Sequence, residues 1–232
     1  VTAASFTDID NDGWKDLVAT GEWMPMKIFK NNKGKFTVTD IQQSTGLWQS
    51  VYTTDVNGDG LDDFFVGNGF DQPAALYIQQ KDATFKPAST KTWTESNAYE
   101  DHGAHFFDAD KDGDLDLVVV SGGVEAQPEV AKLAWQNRLY INTDGKGTFQ
   151  QIPGVIPDLG AVGLRVTSFD YDSDGDLDLF ISQAYVPPGF TQKLVNKLYK
   201  NMHIETGSPS FEKVTDGILV NDSGYTYGFA WG

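Results

Sequence analysis

Cysteine is absent from the 232 residues. That removes disulfide frameworks, thiolate catalysis and cysteine–zinc sites in one step, and leaves the compartment open. Basic residues are scarce too: 17 Lys and Arg face 33 Asp and Glu, for a net charge of −16. A chain this acidic repels phosphate backbones and anionic bilayers, and no local basic patch offsets the repulsion, so nucleic acid is excluded as a partner. No apolar run reaches the roughly eighteen residues of a spanning helix, so this segment does not cross a bilayer in that way. The opening stretch, Val1 to Phe6, lacks the basic start and apolar core of a signal peptide. Histidine is limited to three residues. No G-x-S-x-G, Walker loop, Rossmann fingerprint or H-E-x-x-H string occurs, and the chain reads as a non-enzyme.

What remains is globular: 40% hydrophobic, 22% charged, with 24 glycines. It is also repetitive. A nine-residue string, D-x-[DN]-x-D-G-x-x-D, recurs as DIDNDGWKD at 8–16, DVNGDGLDD at 55–63, DADKDGDLD at 108–116 and DYDSDGDLD at 170–178. Successive starts lie 47, 53 and 62 residues apart, the period of a whole supersecondary unit. Each copy runs into an apolar stretch, then into a segment with an aliphatic–aromatic pair and an amide two residues later: KIFKN, ALYIQ, RLYIN and KLYKN. A polar turn and a phenylalanine follow (Phe36, Phe85, Phe149, Phe211), and another β-prone run precedes each motif.

Each unit therefore reads as four short strands, A to D, with the acidic loop joining A to B. Strand B is expected at about 16–20, 63–67, 116–121 and 178–182. The fold class is all-β: four four-stranded antiparallel propeller-type blades, at about 1–45, 46–98, 99–160 and 161–222. Residues 223–232 read as the first strand of a fifth, and the chain as a piece of a longer propeller. Helix is expected only in insertions such as 129–135.

Oxygen ligands at alternate positions, a Gly turn and a ninth-position carboxylate suit a hard cation. Calcium takes six to eight such ligands and tolerates irregular geometry. Positions 1, 3, 5 and 9 supply Asp8, Asp10, Asp12 and Asp16; Asp55, Asn57, Asp59 and Asp63; Asp108, Asp110, Asp112 and Asp116; and Asp170, Asp172, Asp174 and Asp178. Position 7 offers a backbone carbonyl from Trp14, Leu61, Asp114 or Asp176. Up to four Ca²⁺ are expected, one per loop. An EF-hand needs a Glu at position 12 and flanking helices. Position 12 here is Ala19, Val66, Val119 or Ile181, inside a strand-like run. Turn propensity alone would explain one copy. Four copies in register, using fifteen of the 33 acids, call for a counter-ion.

With these motifs the chain resembles the FG-GAP/VCBS repeats of integrin α-subunit propellers and bacterial surface proteins. The strings VATGEWMPMKIFKN at 18–31, VVVSGG at 118–123, RLYINTDGKGTF at 138–149 and YGFAWG at 227–232 are similar to bacterial VCBS-repeat proteins related to cartilage acidic protein. The ASPIC/UnbV segment that these often carry is not in the sequence. The resemblance implies a calcium-stabilised extracellular propeller, usually of about seven blades, and no single activity. A strict Phe-Gly…Gly-Ala-Pro signature is lacking, so an integrin-like ligand mode does not carry over.

His102 and His105, three apart on a strand, face opposite ways and do not chelate one ion. Arg138 and Arg165 read as partners of carbonyls or acids. The six tryptophans (Trp14, Trp23, Trp48, Trp93, Trp135, Trp231) read as packing residues, with sugar stacking the alternative. The B–C connections 121–137 and 182–196 are the expected specificity elements. Motif Asp to strand C aromatic takes 21 and 22 residues in the first two repeats and 32 and 29 in the others. The functional expectation is a module outside the cytoplasm, at the cell surface, extracellular or periplasmic. It would bind a protein or glycan and pack against further blades of its own or another chain. Part of a polysaccharide lyase and a purely structural spacer are the alternatives.

Overall fold

The computed structural model describes residues 1–88, 91–94, 99–123, 135–157, 162–185, 194–221 and 226. Among them the chain is all-β, in four antiparallel sheets that form propeller-type blades, with only three one-turn helices. Blade 1 is β1 (Ala3–Thr7), β2 (Asp16–Thr20), β4 (Lys27–Asn32) and β5 (Lys35–Asp40). Blade 2 is β6 (Gly46–Thr54), β7 (Asp63–Asn68), β8 (Ala75–Gln79) and β9 (Phe85–Pro87), with β3 (Glu22–Met24) on its β6 edge. Blade 3 is β10 (Asp101–Phe107), β11 (Asp116–Ser121), β12 (Arg138–Asn142) and β13 (Phe149–Ile152). Blade 4 is β14 (Val162–Phe169), β15 (Asp178–Tyr185), β16 (Lys197–Asn201) and β17 (Phe211–Lys213). The helices are α1 (Lys91–Thr94), α2 (His203–Thr206) and α3 (Ile218–Asn221). None is long and apolar enough to cross a membrane.

The expected order A–B–C–D holds in every sheet, and strand B begins at Asp16, Asp63, Asp116 and Asp178. The register aligns the blades internally: Leu17 faces Phe29, Phe64 faces Tyr77, Leu117 faces Tyr140 and Leu179 faces Tyr199. Blade 1 closes its C–D hairpin through Lys33 and Gly34, both at positive φ (52° and 90°), the twist that a two-residue turn requires.

Blade 2 departs from the expected four strands. After β2 the chain turns through Gly21 and a left-handed Trp23 (φ 54°), and Glu22 and Met24 pair with Leu47 and Gly46. The open edge of β6 thereby gains a partner for its backbone groups.

The chain divides into two compact units, Val1–Asp101 with Thr143–Thr148, and His102–Asn142 with Phe149–Gly232. Each has its own core. In the first, Val18, Met26, Trp48, Val51, Phe64 and Tyr77 pack with Ile9 between blades 1 and 2. In the second, Val118, Leu139, Val166, Ile181, Tyr199 and Phe211 pack with Ala109 between blades 3 and 4. Burial of this order stabilises by about 1.5–3 kcal/mol per large side chain. Most of the 121–137 and 182–196 connections, the 129–135 insertion and the expected fifth A strand lie outside the described residues.

Candidate metal centres

The acidic loops connect β1 to β2, β6 to β7, β10 to β11 and β14 to β15. Two positions in each are left-handed. Position 6 is Gly13, Gly60, Gly113 or Gly175, with φ between 85° and 96°. Position 4 is Asn11, Gly58, Lys111 or Ser173, with φ between 55° and 72°. Glycine takes this conformation freely; Lys111 and Ser173 do not.

Three carboxylates hold each turn. The position 1 carboxylate accepts the position 6 N–H: Asp8 from Gly13 at 2.9 Å, Asp55 from Gly60 at 2.7 Å, Asp108 from Gly113 and Asp170 from Gly175 at 3.1 Å. The position 5 carboxylate accepts the position 7 N–H: Asp12 from Trp14, Asp59 from Leu61, Asp112 from Asp114 and Asp174 from Asp176, at 2.8–3.2 Å. The position 9 carboxylate is a clamp. One oxygen accepts the position 2 N–H, from Ile9 to Asp16, Val56 to Asp63, Ala109 to Asp116 and Tyr171 to Asp178. The other accepts the N–H of the strand C amide residue: Asn31, Gln79, Asn142 and Asn201, at 2.7–2.9 Å. The amide at the end of KIFKN and its counterparts is thus the residue on which the loop is anchored. Gln79 and Asn201 also reach the preceding blade, donating to the carbonyls of Ile9 (2.7 Å) and Ala109 (2.9 Å).

The four clamp carboxylates are essentially inaccessible to solvent. Burial pushes Asp116 up to about 7 and Asp63 and Asp178 to about 6, against the lowering effect of the N–H bonds each accepts. Acids at positions 1, 3 and 9 converge in three blades. One oxygen each of Asp8, Asp10 and Asp16 lies within 4.8 Å of the others, and the same holds for Asp108, Asp110 and Asp116 and for Asp170, Asp172 and Asp178. Position 5 stands outside these triads; its carboxylate accepts the position 7 N–H. In blade 2, Asn57 replaces the third acid and accepts the Asp59 N–H at 3.0 Å.

Several of these oxygens have no partner. Asp10 Oδ1, Asp108 Oδ1 and Asp110 Oδ1 are buried without a hydrogen bond. Burial, then the neighbouring Asp112 and Asp108 carboxylates, raise Asp110. An all-oxygen donor set with buried lone pairs left over fits a hard divalent cation.

Residues 8–66 and 55–119 match the FG-GAP-like repeat family. That stretch resembles FG-GAP-like repeats and covers a little under half of the chain. The matched stretch runs from the first acidic loop into strand B of blade 3. No curated protein sequence matches the chain.

Around the acidic loops, sequence reasoning missed two kinds of contact. Position 7 of blade 4 was expected to offer its carbonyl, yet the Asp176 side chain is 1% exposed and joins Asp174 and Glu205 in a second acidic group. Burial raises Asp176, and its Oδ2 accepts the Ile204 N–H of α2 at 3.2 Å. Lys30 and Lys200 also reach loop acids: Lys30 pairs with Asp10, and Lys200 with Asp172, Asp174 and Glu205. The K-N dipeptide in KIFKN and KLYKN was the available signal.

His105 Nε2 is 3.0 Å from Ser168 Oγ, and burial lowers its pKa, whereas His203 lies near enough to Asp110 to act on it. Arg165 donates to the His102 carbonyl at 2.9 Å. Buried Arg138 donates to Ser121 Oγ and the Tyr140 hydroxyl. Trp48, Trp93 and Trp135 are buried packing residues, whereas Trp14 and Trp23 are 44% and 68% exposed; Trp231 lies outside the described residues.

Proposed function

We propose that the chain is a calcium-binding propeller module that works outside the cytoplasm in adhesion or ligand recognition, with the ions bracing the A–B loops. The observation that carries this reading is the convergence of carboxylates whose buried oxygens lack partners. FG-GAP-like repeats are typically non-enzymatic structural and binding modules, which favours recognition over catalysis. The flanking strings extend the reading toward bacterial VCBS-repeat proteins related to cartilage acidic protein.

Extracellular calcium modules bind with Kd on the order of 10⁻⁴–10⁻³ M. At roughly millimolar calcium each site then adds about 0.4–1.4 kcal/mol, and at cytosolic levels almost nothing. The ligand, a protein or glycan, is assigned to the 121–137 and 182–196 connections, because a repeated loop serves a repeated need and a unique partner needs unique surface. Calorimetric titration of calcium, with thermal melting in chelator and in millimolar calcium, tests the reading. Heat of binding and a raised melting temperature are expected; equal melting in both conditions overturns it.

A further inference from the structure

We propose that Lys30 and Lys200 are cations built into the loops of blades 1 and 4, which calcium must displace, so that the loop of blade 3, where the acids converge without a lysine, fills before them. The inference rests on the calcium reading and adds an order of filling to it. One position splits the blades two against two. The residue before the strand C amide is Lys30 in blade 1 and Lys200 in blade 4, but Ile78 in blade 2 and Ile141 in blade 3. The following amide residue always gives its N–H to the position 9 carboxylate, so this side chain always starts beside the loop.

From there Lys30 Nζ pairs with Asp10, the position 3 acid of blade 1. Lys200 Nζ lies 2.6 Å from Asp172, 2.8 Å from Asp174 and 2.8 Å from Glu205. Lys111 brings a further ammonium to the same loop, donating to the Gly175 carbonyl at 2.7 Å. An isoleucine supplies no charge. Among the described residues no lysine or arginine pairs with a loop acid of blades 2 or 3; the basic group beside the blade 3 acids is His203, which acts on Asp110. Asp108 Oδ1 and Asp110 Oδ1 of blade 3 are both buried without a hydrogen bond, as are Asp10 Oδ1 in blade 1 and Asp176 Oδ1 in blade 4, so it is the lysine that separates the blades.

A divalent ion entering blade 4 must either expel the ammonium from its carboxylates or bind beside it against like-charge repulsion. Both side chains are long and partly solvated, so expulsion is feasible and costs affinity rather than abolishing binding. Three exposed ion pairs together correspond to about a tenfold loss. Blade 1, with one such pair, loses less.

The test titrates calcium into the metal-free chain and its variants K30M, K200M and K200R, and melts each of them in chelator. Wild type should show two classes of site. K200M should move one site into the tight class, with about a tenfold gain, and K30M should do so more weakly. K200R keeps the charge and should keep the weak site. In chelator K200M should melt below wild type, because its loop acids have lost an ammonium, while K200R should not. A single class of sites unchanged in K200M overturns this inference alone. So does a K200M chain that melts as high as wild type in chelator. Absence of calcium uptake by every variant overturns the calcium reading, and this inference with it.

Discussion

The loops of blades 3 and 4 are near copies, DADKDGDLD and DYDSDGDLD, and their backbones follow the same course. Their surroundings differ. Blade 3's position 2 residue, Ala109, is fully buried, while its counterpart Tyr171 in blade 4 is 36% exposed. The position 7 carboxylate of blade 4 folds inward against α2, where Glu205 and Lys200 meet it and its neighbours. In blade 3 the acids face one another without an ammonium. A loop's own residues thus set its shape, whereas its charge balance is set by strand C and the helix behind it.

The largest expected effect tests what the two loops share. Asp116→Ala and Asp178→Ala each strand two buried N–H groups, and each should destabilise by about 3 kcal/mol in urea unfolding. A much smaller loss in one blade would mean that the clamp is not common to both.

The next effect is pH-dependent. Asp116, Asp63 and Asp178 have folded values of about 7, 6 and 6, above the ordinary 3.8. The folded metal-free chain therefore binds protons more tightly than the unfolded chain between those values. These acids cost stability above about pH 7, and the cost is relieved as pH falls through 7 and 6. The melting temperature in chelator should rise from pH 7.5 to 5. Calcium, which needs the ionised form, should flatten the trend.

Smaller but sharper is a change of sign. In chelator Asp110→Asn should stabilise by about 0.5 kcal/mol, by relieving repulsion in blade 3. Asp172→Asn should destabilise by about as much, because it removes a partner of Lys200. Equal signs in urea unfolding would erase the distinction between the blades. The smallest effect concerns position 4. Ser173→Gly should add about 0.5 kcal/mol by removing left-handed strain at an exposed site. Lys111→Gly should gain less, since it also loses the bond to Gly175.

Much of this was legible in the residues. The B strands and the aromatic-bearing C strands fall where the repeat placed them, because alternation and Gly–Asp turns are local signals. The two left-handed positions of each loop follow from the same local chemistry at position 6, and at position 4 only Gly58 and Asn11 announced it. The clamp is half visible in the sequence: the position 9 Asp reads as a ligand, and the strand C amide recurs without a role that the sequence assigns. Glu22–Met24 as a fifth strand of blade 2 was not visible, since three residues carry too little pattern to name a partner sheet.

The sequence by itself determined the repeat, which matching strings reveal, and the short strands and oxygen-rich loops, because each strand or loop depends on residues within ten positions of one another. Only the tertiary structure decided which acids converge, which are clamped by backbone N–H groups, and which meet a lysine. Those outcomes depend on strand C arriving beside a loop 15 to 26 residues earlier in the chain. Antiparallel register, not local propensity, sets that meeting, and one residue of slip would turn Lys30 or Lys200 to the other face.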